Sequence, residues 1–259
     1  MRNDVLIIGA GPSGLFAAAE LARHGVAARL VEREVRPHRE ARATAIQPGT
    51  LEILDSVGVL APFLDAAEHV HCARLYGPDM IELGAMRHDG IDCRCKFQCS
   101  LPQYETQRIL EAHLASLGGM VERGVTATKV EADGDEVLVE LVHANGETET
   151  VRPGLVIGAG GAHSVTRHSM NKPLEGATYR GQFLVADIAM PAPFPRDEAG
   201  VACPDTAVGP VDTVAANARP HQSIRPSGEA SAGHGRFTRP ASDFICGQIV
   251  FIDGGYSTV

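Results

Sequence analysis

The clearest pattern of apolar and polar positions lies at the start of the chain. Four apolar residues, Val5 to Ile8, run directly into a glycine-rich stretch, and an alanine-rich segment with a helical pattern follows. A short apolar run of this kind is typical of a strand buried in a parallel sheet. A second strand is predicted over 26–32. The order strand, helix, strand therefore predicts a βαβ unit.

The chain up to about residue 170 predicts further mixed elements. The pattern indicates helices over 50–58 and 104–114, strands over 67–76, 80–86, 120–125, 126–132, 136–142 and 148–152, and a hairpin turn at 144–147. Residues 154–167 then repeat the opening, with an apolar strand, a cluster of glycines and the start of a helix. We therefore predict an α/β fold with a Rossmann-like parallel sheet and an antiparallel β excursion over 120–152.

The pattern changes from about residue 191. Three prolines over 191–195 remove backbone donors, and residues 204–239 are rich in Pro, Gly, Ala and Ser with almost no apolar periodicity. This composition favours a linker or disorder over 196–239. The last apolar run, Ile249 to Ile252, can add one buried strand to a parallel sheet.

Length and charge narrow the classes of function. The chain has 259 residues and a formal net charge of −9. This length allows one large or two small domains, and the acidic balance argues against a nucleic-acid-binding surface. No apolar run approaches the roughly 20 residues that span a bilayer, and the N-terminus lacks the cleavage region of a secretory signal. We expect a cytoplasmic protein that binds neither nucleic acid nor membrane.

The six cysteines do not predict a metal site. Cys93, Cys95 and Cys99 form a cluster, and His71 precedes Cys72 nearby. A Cys-x-Cys pair without a matching second pair is not a usual zinc spacing. We therefore predict free thiols and no bound metal.

The glycine-rich stretch carries a specific chemical expectation. Gly9, Gly11 and Gly14 have the spacing G-x-G-x-x-G. In such a turn the first glycine allows a sharp bend, the second lets the backbone approach a pyrophosphate, and the third lets the helix pack on the strand. The helix N-terminus adds unpaired N–H groups and a partial positive charge. The predicted phosphate-binding turn consists of Gly9, Ala10, Gly11, Pro12, Ser13 and Gly14.

An acidic residue and four arginines follow this turn in the sequence. Glu32 ends the second strand, about 20 residues further on, where an acidic residue is expected to bind a ribose diol. Four arginines at spacing three come next. Arg33 is placed to cover an adenine face and Arg42 to reach a phosphate or flavin edge, whereas Arg36 and Arg39 suit a solvated loop.

Five features, in their order along the chain, resemble the class A flavin monooxygenases, the aromatic hydroxylases related to p-hydroxybenzoate hydroxylase. They are residues 9–14, Glu32 with Arg33, Arg42 with Ala43, the helix that carries Gln107, and residues 158–167. The resemblance extends over about residues 4–195, and residues 183–188 are similar to the next strand of that family.

The resemblance implies FAD as the cofactor and a small aromatic substrate. In that family NAD(P)H reduces the flavin, and O2 then forms a flavin hydroperoxide that hydroxylates a phenol-like ring. It implies that residues 9–14 hold the pyrophosphate, Glu32 binds the ribose, Arg33 flanks the adenine, Arg42 and Gln107 approach the phosphate and ribityl region, and Gly160 and Gly161 occupy a second cofactor motif. It assigns no catalytic residue.

The resemblance also implies a division into domains. An FAD-binding domain is expected over 1–170, with 73–100 partly on the substrate side, and a truncated substrate domain begins over 171–195. Beyond the linker over 196–239, residues 240–259 form a C-terminal strand segment.

Several departures from the family pattern leave alternatives open. Gly160 stands where the family has an Asp that serves both cofactors, Gly49 stands where relatives often have an arginine, and a later Gly-Asp motif is absent. The end, 240–256, is similar to short-chain dehydrogenases but has no accompanying Tyr-x-x-x-Lys pair. It is either an unrelated fused segment, or 249–254 replaces the lost motif. The function is accordingly an active or impaired FAD-dependent monooxygenase, a non-catalytic FAD-binding remnant or fusion, or a nicotinamide-dependent reductase. An exposed sheet edge would favour an oligomer.

Overall fold

The computed structural model of the protein describes residues 5–37, 44–77, 81–134, 136–174, 195, 197–202, 214–215 and 249–251. The chain divides into two compact units. The first comprises residues 1–39, 106–177 and 234–258, and the second comprises residues 40–105, 178–233 and 259.

Both units contain strands and helices. In chain order they are β1 (Val5–Ile8), α1 (Pro12–Arg23), β2 (Ala28–Glu32), β3 (Ala45–Ile46), α2 (Pro48–Ser56), α3 (Leu60–Ala66), β4 (Glu68–Val70), β5 (Cys72–Tyr76), β6 (Glu82–Arg87), β7 (Gln98–Ser100), α4 (Gln103–Ser116), β8 (Val121–Arg123), β9 (Val125–Asp133), β10 (Glu136–His143), β11 (Thr148–Val151), β12 (Leu155–Gly158), α5 (Val165–Ser169), β13 (Glu198–Ala202), β14 (Val214–Ala215) and β15 (Ile249–Phe251).

A five-stranded sheet in the order β15-β12-β1-β2-β8 forms the centre of the first unit. All its strand pairs are parallel, so the predicted βαβ unit and α/β fold class are confirmed. The late apolar run was expected to add a strand to a parallel sheet. In the structure β15 pairs with β12, with Ile249 opposite Val156.

A second, antiparallel sheet of β9, β10 and β11 covers one face of the parallel sheet. The predicted antiparallel excursion and its hairpin are confirmed for β9 to β11. Its first predicted strand, over 120–125, is corrected, because β8 pairs in parallel with β2 in the main sheet. Strand alternation explains the packing: Leu6 and Ile8 of β1 join the core cluster with Val139 and Leu141 of β10. The other two residues of β1 are also buried and point to the opposite face. This explains why β1 is apolar at every position.

The second unit contains two sheets of its own, one in the order β14-β13-β5-β6 and one in the order β3-β7-β4. The predicted strand over 67–76 is divided into β4 and β5. Helix α3, at Leu60–Ala66, is an element that the apolar pattern did not indicate. It buries Phe63 completely, so its stability comes from tertiary packing, which a seven-residue pattern reveals poorly.

The linker predicted over 196–239 is corrected where the structure describes it. Strand β13 pairs in parallel with β5, and β14 pairs with β13. Arg74 Nε lies 2.6 Å from Glu198 Oε2, so an ion pair and backbone pairing hold a strand that lacks apolar periodicity. Most other residues from 175 onward, including the strand expected over 183–188, lie outside the described residues. The predicted domain boundaries stay predictions.

In the described part of the chain, every helix is too short or too polar to cross a membrane.

One arginine connects the two sheets of the first unit. Arg29 of β2 donates hydrogen bonds to Glu122 of β8, with Nη2 to Oε2 at 2.7 Å, and to Glu149 of β11, with Nη1 to Oε1 at 2.8 Å. The hydrogen bond from Arg29 is the main cause that lowers the pKa of Glu149, and a contact from His143 adds to it.

Replacing Arg29 by methionine should therefore destabilise the fold in a pH-dependent manner. At pH 7 we expect a loss of about 1–2 kcal/mol in the free energy of unfolding, because both partner carboxylates remain partly solvated. The folded pKa of Glu149 lies below its unfolded value of about 4.3. Its contribution is thus fully present above that pH and is lost as the pH falls through the folded pKa.

Urea unfolding at pH 7 and pH 3 measures this effect. The difference in unfolding free energy between the unaltered chain and Arg29→Met should shrink at pH 3, and an equal difference at both pH values would contradict the prediction. Arg23→Met is the matched control, because its pair with Glu20 is exposed and should leave the unfolding free energy almost unchanged.

Candidate functional site

Three polar and glycine-rich segments meet at one edge of the parallel sheet. These segments are the turn between β1 and α1, the residues at the end of β2 and the turn after β12. The three strands are neighbours in the sheet, in the order β12-β1-β2. Because these strands are parallel, their carboxyl ends lie at the same edge. In open α/β sheets this edge is where ligands bind.

Two glycines of the first turn are required by the fold itself. Gly9 has a φ of +107°, and a Cβ there would lie 2.5 Å from the carbonyl oxygen of Ala159. A Cβ on Gly14 would lie 1.9 Å from the carbonyl oxygen of Gly9. Neither position can accept a side chain, since both contacts are with backbone atoms.

Gly11 differs from these two glycines. Its φ of −69° suits any residue, and a Cβ built there would have no atom within 4 Å. Gly11 is the N-cap of α1, and no side chain caps this helix end. Since Pro12 has no N–H group, Ser13 and Gly14 carry the first N–H donors of the helix. The bare backbone at Gly11 thus adjoins the positive end of a 12-residue helix.

Two side chains fix the backbone around Ala10. Glu32 Oε2 accepts a hydrogen bond of 2.7 Å from the N–H of Ala10, and its Oε1 accepts one of 3.0 Å from the N–H of Glu34. Gln107 Nε2 donates to the carbonyl oxygen of Ala10 at 3.4 Å. Each carboxylate oxygen of Glu32 keeps a second lone pair, so Glu32 can hold the turn and still accept from a ribose hydroxyl.

The structure describes one of the two arginines that were predicted to contact the cofactor. The Arg33 side chain is 60% exposed and pairs with Glu34, with its Nε 3.4 Å from Glu34 Oε1, so most of its surface is open to solvent. Arg42 lies outside the described residues.

Ser164 and Arg167 build the second glycine turn; both lie in the stretch 158–167 that resembles the family, but the sequence patterns gave neither a role. Ser164 caps α5, accepting from the N–H of Arg167 at 3.2 Å. Arg167 is 5% exposed, and its Nη2 donates to the carbonyl oxygen of Ala162 at 2.6 Å. A serine directly before a helical segment is a recognisable N-cap signal and could have identified Ser164. Gly160, with a φ of −79°, and Gly161, with a φ of +65°, lie within this turn.

Ala159 connects the two turns. Its N–H donates to the carbonyl oxygen of Ile8 at 2.8 Å, which continues the pairing of β1 with β12. A Cβ on Gly14 would lie 3.2 Å from the Ala159 methyl group. Ala159 therefore contacts both structural glycines of the first turn.

The cysteine cluster belongs to the second unit. Cys72, Cys93, Cys95 and Cys99 are free thiols. Burial raises the pKa of Cys99 to about 11, so this thiol is protonated at neutral pH. Within the described residues, no three His, Cys, Asp or Glu side chains are grouped to hold a metal ion.

The geometry fits the adenosine diphosphate part of a dinucleotide. Gly11 gives access, Ser13 and Gly14 give donors, and Glu32 gives acceptors at one sheet edge. The described residues assign no group to the flavin ring or to an aromatic substrate.

Comparison with known proteins agrees with this geometry. A family profile described as an FAD binding domain matches residues 2–223. An uncharacterized aromatic compound monooxygenase, YhjG of Bacillus subtilis (strain 168), is 30% identical over 195 residues, which cover 75% of this chain and 38% of the relative. A rifampicin monooxygenase of Streptomyces venezuelae is 29% identical, covering 73% of this chain and 38% of the relative.

Solved structures give the same result. The flavin-dependent monooxygenase PieE, crystallised with FAD and substrate, aligns with a TM-score of 0.62 and 27% identity over 69% of this chain and 33% of its own. The chain thus spans about 38% of the length of the curated relatives named here.

The glycines of the first turn should respond differently to substitution. Gly14→Ala is expected to lower the free energy of unfolding by at least about 2 kcal/mol, because its methyl group would overlap a backbone carbonyl. Gly11→Ala should stay within about 1 kcal/mol of the unaltered chain, since its methyl group enters open space. Chemical denaturation without cofactor measures both changes. Equal losses for the two variants would contradict the distinction.

Proposed function

The chain belongs to the family of FAD binding domains, and on that premise we propose that it holds FAD by its adenosine diphosphate end, as the flavin-binding part of an aromatic-compound monooxygenase. The observation that carries this proposal is Gly11. It lies at an uncapped helix N-terminus, and neither its backbone angles nor its surroundings require a glycine. A ligand that approaches the backbone closely explains why the side chain is missing.

Each predicted residue takes a specific part in holding the cofactor. The pyrophosphate lies against Gly11 and accepts from the N–H groups of Ser13 and Gly14, where the helix dipole favours negative charge. Glu32 accepts from the adenosine ribose. Gly9, Ala10 and Pro12 shape the turn, and Arg33 covers the adenine. Arg42 and Gln107 approach the phosphate and ribityl region, and Gly160 and Gly161 lie beside the cofactor.

The proposed reaction is hydroxylation of a phenol-like ring. Bound FAD would supply redox chemistry, taking a hydride from NAD(P)H and transferring one oxygen atom of O2 to the substrate, while the other oxygen atom leaves as water. The residues of this chain bind and orient the cofactor. The relatives' names support an aromatic substrate, since one is named an uncharacterized aromatic compound monooxygenase and another is a pentachlorophenol 4-monooxygenase of Sphingobium chlorophenolicum. We also propose that the protein is cytoplasmic and that it can form an oligomer.

The family match favours this proposal over a nicotinamide-dependent reductase. The likeness of the last residues to short-chain dehydrogenases stays a prediction, because only β15 of that segment is described.

Gly11→Val should weaken FAD binding without unfolding the chain. Its branched side chain would occupy the space through which the pyrophosphate reaches the helix N-terminus. Loss of two charge-assisted hydrogen bonds predicts a dissociation constant raised by at least about tenfold. Quenching of flavin fluorescence during FAD titration measures this change. Gly90→Val is the control, since a Cβ at Gly90 also meets no atom within 4 Å but lies in the second unit. Equal FAD affinity in all three proteins would contradict the proposal.

The monooxygenase part of the proposal has a separate test. With FAD bound, NADPH or NADH should bleach the flavin absorbance, and a phenol should accelerate this bleaching. If neither nucleotide bleaches the flavin, with or without a phenol, the hydroxylation proposal is wrong. The proposed FAD site is then judged by the FAD titration alone.

A further inference from the structure

The two glycine turns contact one another through backbone atoms and one methyl group. A Cβ on Gly9 would lie 2.5 Å from the Ala159 oxygen and 2.7 Å from its carbonyl carbon, so these residues already touch as backbone. A Cβ on Gly14 would lie 3.2 Å from the Ala159 Cβ. A Cβ on Gly14 would also lie 1.9 Å from the Gly9 carbonyl oxygen, so the backbones of these two glycines lie close together. Gly9, Gly14 and Ala159 therefore form one closed contact, which we call the three-residue junction.

We propose that Ala159 is a positioning residue for the FAD pyrophosphate. It sets the position of the first turn of α1 through the three-residue junction and touches no part of the cofactor itself. This inference rests on the proposed FAD site. It adds a residue that neither the glycine spacing nor the family motif assigned to phosphate binding.

The size of residue 159 is the property that matters. Pairing of β12 with β1 fixes its backbone, because the Ala159 N–H donates to the Ile8 carbonyl at 2.8 Å. Residue 159 therefore cannot retreat from α1 when its side chain grows. A Cβ on Gly14 would lie 3.2 Å from the Ala159 methyl group, so this methyl group lies close to the first turn of α1, whereas Ala159 as a whole is only partly buried.

Branching at Cβ decides whether a larger side chain can avoid the junction. Valine places carbons at two of the three staggered positions around Cβ, so the position nearest Gly14 is filled in two of its three rotamers. Serine has a single γ atom, which can turn toward solvent. The N–H groups of Ser13 and Gly14 belong to the same first turn as the contact. A small displacement there misaligns both donors, and hydrogen bonds weaken steeply with angle.

The test compares Ala159→Val with Ala159→Ser. Dissociation constants for FAD come from flavin fluorescence, and those for ADP, which has the pyrophosphate but no flavin, come from calorimetry. We expect Ala159→Val to weaken FAD and ADP by the same factor, at least about tenfold, and Ala159→Ser to change either by less than about twofold. Ala132→Val is the matched control, because Ala132 is exposed on β9 and should leave both affinities unchanged.

The measurements separate positioning from general stability. Binding is measured at a temperature where circular dichroism shows each variant fully folded, so a merely structural residue would change the unfolding temperature and leave the affinity of the folded protein unaltered. Unchanged FAD and ADP affinities in Ala159→Val would overturn the inference. So would a loss for FAD with unchanged ADP binding, since this would place the effect at the flavin end.

A variant that fails to fold does not end the test. If Ala159→Val is insoluble, Ala159→Gly decides, because it removes the methyl support of Gly14 without any clash. About threefold weaker binding of both ligands supports the inference, and unchanged binding overturns it. If the unaltered chain binds neither FAD nor ADP, the proposed function fails first. Binding by the unaltered chain with no effect at residue 159 overturns this inference alone.

Discussion

Direct backbone contact between two strand-to-helix turns is the constraint on which the site depends. Parallel pairing of β1 with β12 brings Ala159 against Gly9, and α1 then packs its Gly14 on the Gly9 carbonyl. The Ala159 methyl group is the one side chain named in these contacts, so strand, helix and turn have one relative position. A rigid turn of this kind holds the helix N–H groups in position before a ligand binds. Less conformational entropy of the protein is then lost on binding.

The glycines of the G-x-G-x-x-G motif have two different roles. Gly9 and Gly14 are needed for the turn to exist, since a Cβ on either would overlap backbone. Gly11 is needed only if something approaches from outside the protein. The same spacing thus combines a folding requirement with a binding requirement. Glu32 shows a similar combination, because its carboxylate holds the Ala10 N–H and keeps acceptor capacity for a ribose.

Local patterns were sufficient for much of the first unit. Strand β1, helix α1, strand β2 and the β9–β11 sheet follow from apolar runs, alternation and a hairpin turn, all of which act over neighbouring residues. The second unit was less predictable. Helix α3 depends on burial of Phe63, and β13 depends on pairing with β5 and on the ion pair between Arg74 and Glu198, which are 124 positions apart. Such partners leave no local signal.

The candidate site was predictable to a similar extent. The glycine turn, Glu32 and Gln107 were identified from spacing and resemblance, and the structure brings them together around Ala10. The partners of Glu32 were not foreseen, since a backbone N–H has no sequence signature. Ala159 was missed for the same physical reason, because an alanine beside glycines carries no chemical group and acts only through its size.

The central claim is that the first turn of α1 binds the phosphates of FAD. The most direct measurement is an amide NMR titration of the isotope-labelled chain with FAD, followed by ADP. We expect saturable shifts of the Gly11, Ser13 and Gly14 amide signals, in the same direction with both ligands. Saturable FAD binding that leaves these three signals unmoved would contradict it.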